Sequence, residues 1–231
     1  MAGLLFILSA PSGSGKSTLV GQLRSMVDHL SFSVSWTTRK PRGSEQDGRE
    51  YHFTSRETFE HMLAEDEFLE HADVFGNYYG TARSTLKKAA EQGQDVLLDI
   101  DVQGASQVRR KMPEAISVFI LPPNPQILEM RLRNRSRAEG VVSEDVIGRR
   151  LTAARKEIEN YRQYRYIVVN DILDQAVEEL TAIVLAERAL AHGDPAPDTE
   201  MQRWIGIAQQ CRQCNAQERL QPVLASFGFP S

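Results

Sequence analysis

Cysteine is nearly missing. The 231-residue chain has two, Cys211 and Cys214, which cannot build a disulfide framework. Their Cys-x-x-Cys spacing lacks the four ligands of a structural zinc and the strand-helix setting of a redox pair, so they read as incidental. The five histidines show no metal-ligand spacing. Long apolar runs are missing too, since no window approaches the roughly 20 residues of a membrane helix. The apolar start, 1–10, has no basic segment before it and no cleavage pattern after it, because glycines and Lys16 follow directly; that excludes a signal peptide. Nor is there an excess of positive charge. With 27 Lys and Arg against 31 Asp and Glu the net charge is -4, which disfavours a broad nucleic-acid-binding surface. Repeats and low-complexity tracts are absent. The expectation is a reduced, cytoplasmic protein with neither membrane nor nucleic acid as partner.

What is present describes an ordinary globular chain, 41% hydrophobic and 25% charged, long enough for one large core with insertions. Leu4 to Leu8, Val96 to Ile100, Ile116 to Leu121 and Tyr166 to Val169 are continuous apolar runs, the pattern of strands buried on both faces of a parallel sheet. Helical periodicity occupies Lys16 to His29, Arg83 to Gln92, Gln103 to Lys111, Pro125 to Arg137, Glu144 to Tyr161 and Ile172 to Leu190. The alternation predicts an α/β fold, a parallel sheet flanked by helices.

Ser31 to Thr81 breaks that rhythm. It holds short β-like runs at Phe32 to Trp36 and Tyr51 to Phe53, one helix, and a turn at Phe75-Gly76-Asn77, and reads as an insertion carrying an acceptor site. Turn formers and two prolines at 192–198 predict a linker. In the tail beyond it, Met201, Trp204, Ile205 and Ala208, then Leu220, Val223, Leu224 and Phe227, fall at helical spacing. Docked amphipathic helices and a partly disordered extension both fit that pattern.

After the first strand comes Ala10-Pro11-Ser12-Gly13-Ser14-Gly15-Lys16-Ser17-Thr18, then a helix. Gly13 and Gly15 allow the backbone to turn its N–H groups around phosphate oxygens, and the helix N-terminus adds partial positive charge. Lys16 brings a full charge toward the β- and γ-phosphates of a nucleoside triphosphate, and Ser17 a hydroxyl for Mg²⁺. Ala10 stands where the general phosphate-loop pattern has glycine, while its Gly-Lys-Ser core is intact. Val96-Leu97-Leu98-Asp99 ends a strand on a carboxylate, where open α/β sheets place ligands, so Asp99 is a candidate to orient the metal's water shell.

Basic residues cluster twice. Arg39, Lys40, Arg42 and Arg49 are interleaved with hydroxyl side chains, a mixture suited to a second phosphate. Arg131 and Arg135 are four apart and share a face if helical, with Arg149 and Arg150 on the next helical stretch. Ser143, Glu144 and Asp145 predict a capped, acidic first turn for that stretch, making a helix-loop-helix flap. Lys16, Arg131, Arg135, Arg150 and Mg²⁺ then suit neutralisation of a migrating phosphoryl group, with Arg42 holding the acceptor in line. Arg133, Arg137 and Arg149 read as solubilising.

Ser-Trp-Thr-Thr-Arg-Lys-Pro-Arg at 35–42, Gly-Asn-Tyr-Tyr-Gly at 76–80 and Leu-Asp-Ile-Asp-Val-Gln-Gly at 98–104 resemble the guanylate kinase family, in unbroken order from about residue 3 to about residue 188. The resemblance implies a P-loop NTPase-type fold with an inserted GMP-binding region at about 33–85 and a helical lid at about 125–155. It leaves 189–231 as a tail of unknown role. It implies phosphoryl transfer from ATP, with Mg²⁺, onto GMP. It also implies that Ser35, Arg39, Arg42, Tyr51 and Tyr79 bind the GMP phosphate, that Glu70, Thr81 and Asp101 read the base, and that Asn170 lies on the adenine side. Guanine's N1–H and N2–H₂ can both donate to one carboxylate, whereas adenine would set an unprotonated N1 against it. A non-catalytic interaction scaffold and a kinase with another phosphorylated acceptor are the alternatives, and self-association is left open.

Overall fold

The structure, a computed structural model, describes residues 3–138, 140, 143–193 and 197–229. In chain order its elements are β1 (Leu5–Ser9), α1 (Lys16–Met26), β2 (Leu30–Ser33), β3 (Trp36–Thr37), β4 (His52–Phe53), α2 (Arg56–Ala64), β5 (Phe68–Val74), β6 (Asn77–Ala82), α3 (Arg83–Glu91), β7 (Asp95–Asp99) and α4 (Val102–Lys111). They continue with β8 (Ile116–Leu121), α5 (Pro125–Ala138), α6 (Glu144–Ile158), a 3-10 turn (Glu159–Gln163), β9 (Tyr166–Val169), α7 (Leu173–His192), α8 (Thr199–Cys211) and α9 (Gln217–Ser226). Residues Met1–Leu8 with His29–Ile116 form one compact unit, and Ser9–Asp28 with Ser117–Ser231 form another.

Five parallel strands run in the order β2-β7-β1-β8-β9, so the α/β class read from the alternation is the one observed. In the first unit β7 pairs with both β1 and β2, and in the second β8 pairs with β9. Every residue of β1 and β8 is buried, as a strand covered on both faces requires. Helix α1 stops at Met26 rather than His29. Val27 is extended and His29 adopts a positive φ of 57°, because the chain must turn there to enter β2 at Leu30.

The insertion forms a second sheet in the first unit, with strand order β4-β3-β6-β5. The predicted run Phe32 to Trp36 is not one strand. β2 joins the parallel sheet beside β7 and β3 joins the second sheet beside β4 and β6; no glycine or proline marks the change of sheet. The hairpin of β5 and β6 was legible only at its turn, where Phe75 and Gly76 have φ of 51° and 82°, the positive values that a two-residue hairpin loop needs. Polar residues along both strands mask the alternation. Phe59 of α2 stacks on Phe68 and Tyr78 at centroid distances of 4.3 and 5.3 Å, and with Met62 and Trp36 this forms the core of that sheet.

The tail is helical and packed within the second unit. Asp198 caps α8 by accepting from the Met201 amide at 2.7 Å. Ala208, Cys211, Ala216, Leu220, Leu224 and Phe227 are buried, and α8 packs along α7. Of the two readings that the periodicity allowed, docked helices are what the structure contains. Gly193, with φ of 66°, ends α7 in the left-handed conformation; of the linker read at 192–198, Asp194, Pro195 and Ala196 lie outside the described residues.

Leu220 is fully buried, so Leu220→Ala is expected to cost about 2–5 kcal/mol. For a chain of this size each kcal/mol lowers Tm by about 2–4 °C. Thermal unfolding of Leu220→Ala beside the exposed control Met26→Ala checks this; equal Tm values for the two would contradict docking of the tail.

Candidate active site

The second unit carries the loop at Ala10 to Thr18. Gly13 and Gly15 have φ of 89° and 84°, a region closed to most side chains. Packing repeats the requirement. A Cβ at Gly13 would lie 2.9 Å from Leu132 Cγ, and one at Gly15 would lie 2.4 Å from Asn170 Nδ2. The Ser14 amide donates to the Pro11 carbonyl at 3.1 Å, and Ser12 donates through its amide to Glu157 Oε2 at 3.3 Å. Pro11 and Ser14 are buried, Lys16 is half-buried at the first position of α1, and Ser17 and Thr18 are exposed beside it.

Two residues remote in sequence hold this loop. Asn170 is buried, and its Nδ2 donates to the Ser14 carbonyl at 2.7 Å across 156 positions. Arg131 of α5 donates to the same carbonyl at 3.3 Å and to the Asn170 carbonyl at 3.1 Å. Burial lowers the pKa of its guanidinium, with Asp171 acting in the opposite sense. Both partners are neutral carbonyls, so the Arg131 charge meets no carboxylate in either bond.

The other arginines of α5 and α6 divide. Arg150 of α6 donates to Ser136 Oγ of α5 at 3.0 Å. Arg135, one turn beyond Arg131, is exposed, as are Arg137 and Arg149. Arg133, read as merely solubilising, is engaged. It donates to Glu129 at 2.8 Å and to both oxygens of Glu144 at 2.6 and 2.8 Å, and these hydrogen bonds raise its pKa. Ser143 occupies the N-cap of α6 but makes no side-chain cap bond, contrary to the expected capping; the Glu144 carboxylate of that first turn is drawn to Arg133 instead.

The first unit carries the second cluster. Arg39 is 9% exposed. Its guanidinium donates to Tyr79 Oη at 3.1 Å, to the Lys40 carbonyl at 2.8 Å and to both oxygens of Glu45 at 2.9 and 3.0 Å. Burial opposes its charge, and the Glu45 and Tyr79 contacts outweigh that and raise its pKa. Glu45 also accepts from the Arg42 amide at 2.8 Å. Its own burial pushes its pKa up, but Arg39 and Arg42 bring it below the usual carboxylate value. Sequence reasoning missed Glu45, since an acid in an aperiodic loop gives no signal of its partner. The Tyr51 ring lies 5.7 Å from that of Tyr79 and 5.2 Å from the Arg39 guanidinium. Ser35, buried, accepts through its carbonyl from the His52 amide at 2.9 Å. Arg42 itself is exposed.

Beside these lies a buried acid. Glu70 of β5 and Thr81 of β6 are register partners, 3% and 0% exposed, and Thr81 Oγ1 donates to Glu70 Oε1 at 2.6 Å. Burial raises the Glu70 pKa to about 7; Thr81 partly offsets this, and the charge of Asp101 adds to it. Asp101 caps α4, accepting from the Gly104 amide at 2.9 Å and from Gln103 Nε2 at 3.1 Å. Asp99 ends β7, half-buried. The Glu70 carboxyl thus has both the hydroxyl and a backbone contact of Thr81 as hydrogen-bond partners.

Elsewhere, Cys211 is a free thiol pushed up to about 12 by burial and by Glu179, and Cys214 is free and exposed. Among the described residues no group of three or more His, Cys, Asp or Glu is arranged to hold a metal ion.

A family profile described as Guanylate kinase matches residues 3–187. The chain is 53% identical over 227 residues to the guanylate kinase of Koribacter versatilis, covering 98% of this chain and 97% of that one. It is 49% identical over 186 residues to the guanylate kinase of Nitrosospira multiformis, covering 80% and 87%. A crystal structure of guanylate kinase from Anaplasma phagocytophilum shares 29% identity and superposes with a TM-score of 0.66, covering 100% of this chain and 98% of that one. The Koribacter alignment takes in the tail beyond the profile's last residue, so that appendage is shared with at least this relative.

The raised pKa of Glu70 has a consequence for stability. Unfolded, the carboxyl titrates near 4.3; folded, it holds its proton up to about 7. Between these values the folded state binds more protons, so this group lowers stability as pH rises across the window and has no further effect above it. Glu70→Gln removes the titration. Its stability relative to the parent is expected to improve by on the order of 2–3 kcal/mol from pH 5 to pH 8. Urea unfolding at the two pH values measures this, and a difference that stays constant would contradict the buried-acid assignment.

Proposed function

The chain belongs to the guanylate kinase family, and we propose that its two clusters divide the reaction, the glycine loop and lid serving ATP and the inserted sheet serving GMP. The protein is an ATP:GMP phosphotransferase: the γ-phosphoryl group of ATP passes to GMP, giving ADP and GDP. The proposal assigns that chemistry to residues. It takes 3–188 as the kinase domain, about 33–85 as its GMP-binding insertion and about 125–155 as its lid, with 189–231 appended.

On the donor side, Pro11 to Thr18 present amides, the helix end and Lys16 to the ATP phosphates, and Asn170 sits toward the adenine. The collisions that a Cβ would meet at Gly13 and Gly15 support a backbone cradle there. Magnesium bound with ATP would neutralise phosphate charge. The exposed Ser17 hydroxyl beside Lys16 suits an ion that keeps most of its water, with Asp99 assigned to that shell. Arg131, Arg135 and Arg150 supply positive charge for the equatorial oxygens of a loose transition state, where positioning and charge carry the catalysis.

On the acceptor side, Ser35, Arg39, Arg42, Tyr51 and Tyr79 hold the GMP phosphate, and Glu70, Thr81 and Asp101 read guanine. No general base is required, because the attacking phosphate oxygen is already ionised at neutral pH. Closure of the lid excludes water as a competing acceptor. The observation that carries the acceptor reading is the buried Glu70 carboxylate, bonded to Thr81 and otherwise matched by guanine's two adjacent donors. The proposal needs no second copy of the chain. Its cytoplasmic setting rests on the unpaired thiols of Cys211 and Cys214.

A coupled ADP-release assay with Mg-ATP and, in turn, GMP, dGMP, AMP, UMP and dTMP tests the assignment. Turnover is expected with the guanine nucleotides alone. Lys16→Ala is expected to lower kcat by about a hundredfold or more, while Glu70→Ala chiefly raises KM for GMP and relaxes base preference. Equal turnover with AMP and GMP would sink the guanine reading, and an unchanged kcat in Lys16→Ala would sink the loop assignment.

A further inference from the structure

The position of Glu70 is set from outside its own sheet. β5 is the last strand of its sheet, and pairing with β6 leaves the outward backbone groups of alternate residues without a neighbouring strand. Helix α4 answers them with side chains. Gln103 Nε2 donates to the Asp73 carbonyl at 3.3 Å. Gln107 accepts from the His71 amide at 3.3 Å and donates to the His71 carbonyl. Lys111 Nζ donates to the Leu69 carbonyl at 2.6 Å. Four residues of helix advance about 6.0 Å and two residues of strand about 6.8 Å. Donors at 103, 107 and 111 can therefore track carbonyls at 73, 71 and 69 along the strand edge. The primary amide of Gln107, through its oxygen and one N–H, meets both backbone groups of the residue next to Glu70.

Gly104 lies on the same helix, one turn before Gln107. A Cβ there would fall 2.2 Å from Glu70 Oε2, 2.9 Å from Glu70 Cδ and 3.4 Å from Asp101 Oδ1. The space of that missing side chain is where the carboxylate sits. Any larger residue would move the end of Glu70 and leave the helix in place, since the colliding atoms belong to a flexible side chain.

We propose that Gly104 and Gln107 are positioning residues for guanine recognition, α4 clamping β5 through Gln107 and leaving at Gly104 the space that fixes the Glu70 carboxylate. The proposal rests on the reading that Glu70 accepts from the guanine edge. Both residues act on β5, Gln107 through His71 and Gly104 through Glu70, so their effect falls on binding and selection of the base.

Steady-state kinetics with GMP and with IMP, which lacks the exocyclic amine, test this in the full-length protein. The variants are Gly104→Ala, Gln107→Leu, Glu70→Asp and the pair Gly104→Ala with Glu70→Asp. Gly104→Ala is expected to raise KM for GMP about tenfold or more and to shrink the preference for GMP over IMP. Its kcat and its KM for ATP should stay within about threefold, the split expected of lost acceptor binding alone. Alanine is the better helix former, so propensity works in favour of the folded variant. Gln107→Leu, similar in size but unable to clamp His71, is expected to move the same two readouts in the same direction by about threefold or more. Retracting the carboxylate in Glu70→Asp relieves the collision, so the pair should cost less than the product of the single effects. Unchanged KM for GMP and unchanged GMP over IMP preference in both Gly104→Ala and Gln107→Leu would overturn the proposal, as would strictly multiplicative effects in the pair. If Glu70→Asp itself leaves GMP over IMP preference intact, the underlying reading of Glu70 fails, and with it the inference.

Discussion

A carboxyl group inside a protein is costly to ionise unless donors meet it, and at Glu70 the protein supplies the Thr81 hydroxyl and a Thr81 backbone contact. Much of the first unit is organised around that group. The β5–β6 hairpin sets Glu70 and Thr81 opposite one another in register. The second sheet buries them, and α4 closes the open edge of β5 with Gln103, Gln107 and Lys111. Asp101 is turned into the cap of the same helix. In the proposed reading guanine adds two donors to this carboxyl, and adenine would set an acceptor in the same place. Selectivity is thus the matching of donors to one buried group.

Positive charge is handled in two distinguishable ways. Where a guanidinium meets carboxylates, as Arg133 meets Glu129 and Glu144, its charge is balanced within the protein. Where it meets carbonyl oxygens, as Arg131 meets those of Ser14 and Asn170, it is oriented by neutral groups, with Asp171 acting on its charge without a hydrogen bond. The second arrangement suits a donor site for phosphate, because catalysis of phosphoryl transfer needs preorganised positive charge more than covalent participation. Arg39 is an intermediate case, tied to Glu45 in a bidentate pair while also reaching Tyr79. A carboxylate that holds such an arginine in one rotamer lowers the entropy cost of later binding.

The parts legible from sequence were those whose requirement is local. Leu4 to Leu8 and Ile116 to Leu121 announced buried strands through uninterrupted apolar residues. The hairpin strands were not legible, because Glu70, His71, Asp73 and Asn77 place polar groups where alternation would otherwise show. The change of sheet between Ser33 and Trp36 was hidden for a related reason, since a strand's residue preferences are the same in either sheet. The tail helices showed as periodicity at Met201 to Ala208 and Leu220 to Phe227, but periodicity carries no information about the surface that buries them.

By itself the sequence determined the glycine loop, the alternation of strands and helices outside the insertion, and a basic acceptor segment interleaved with hydroxyls. A left-handed glycine, a charge at a helix N-terminus and a run of apolar residues each act over a few consecutive positions. The tertiary structure alone decided that Glu70 is buried with its proton held to about neutral pH, that Asn170 locks the loop across 156 positions, that Glu45 rather than solvent faces Arg39, and that the tail docks. Each of these is a matter of desolvation and of partners distant in the chain. Their energies depend on which surfaces exclude water together, and that is settled only when the chain has folded.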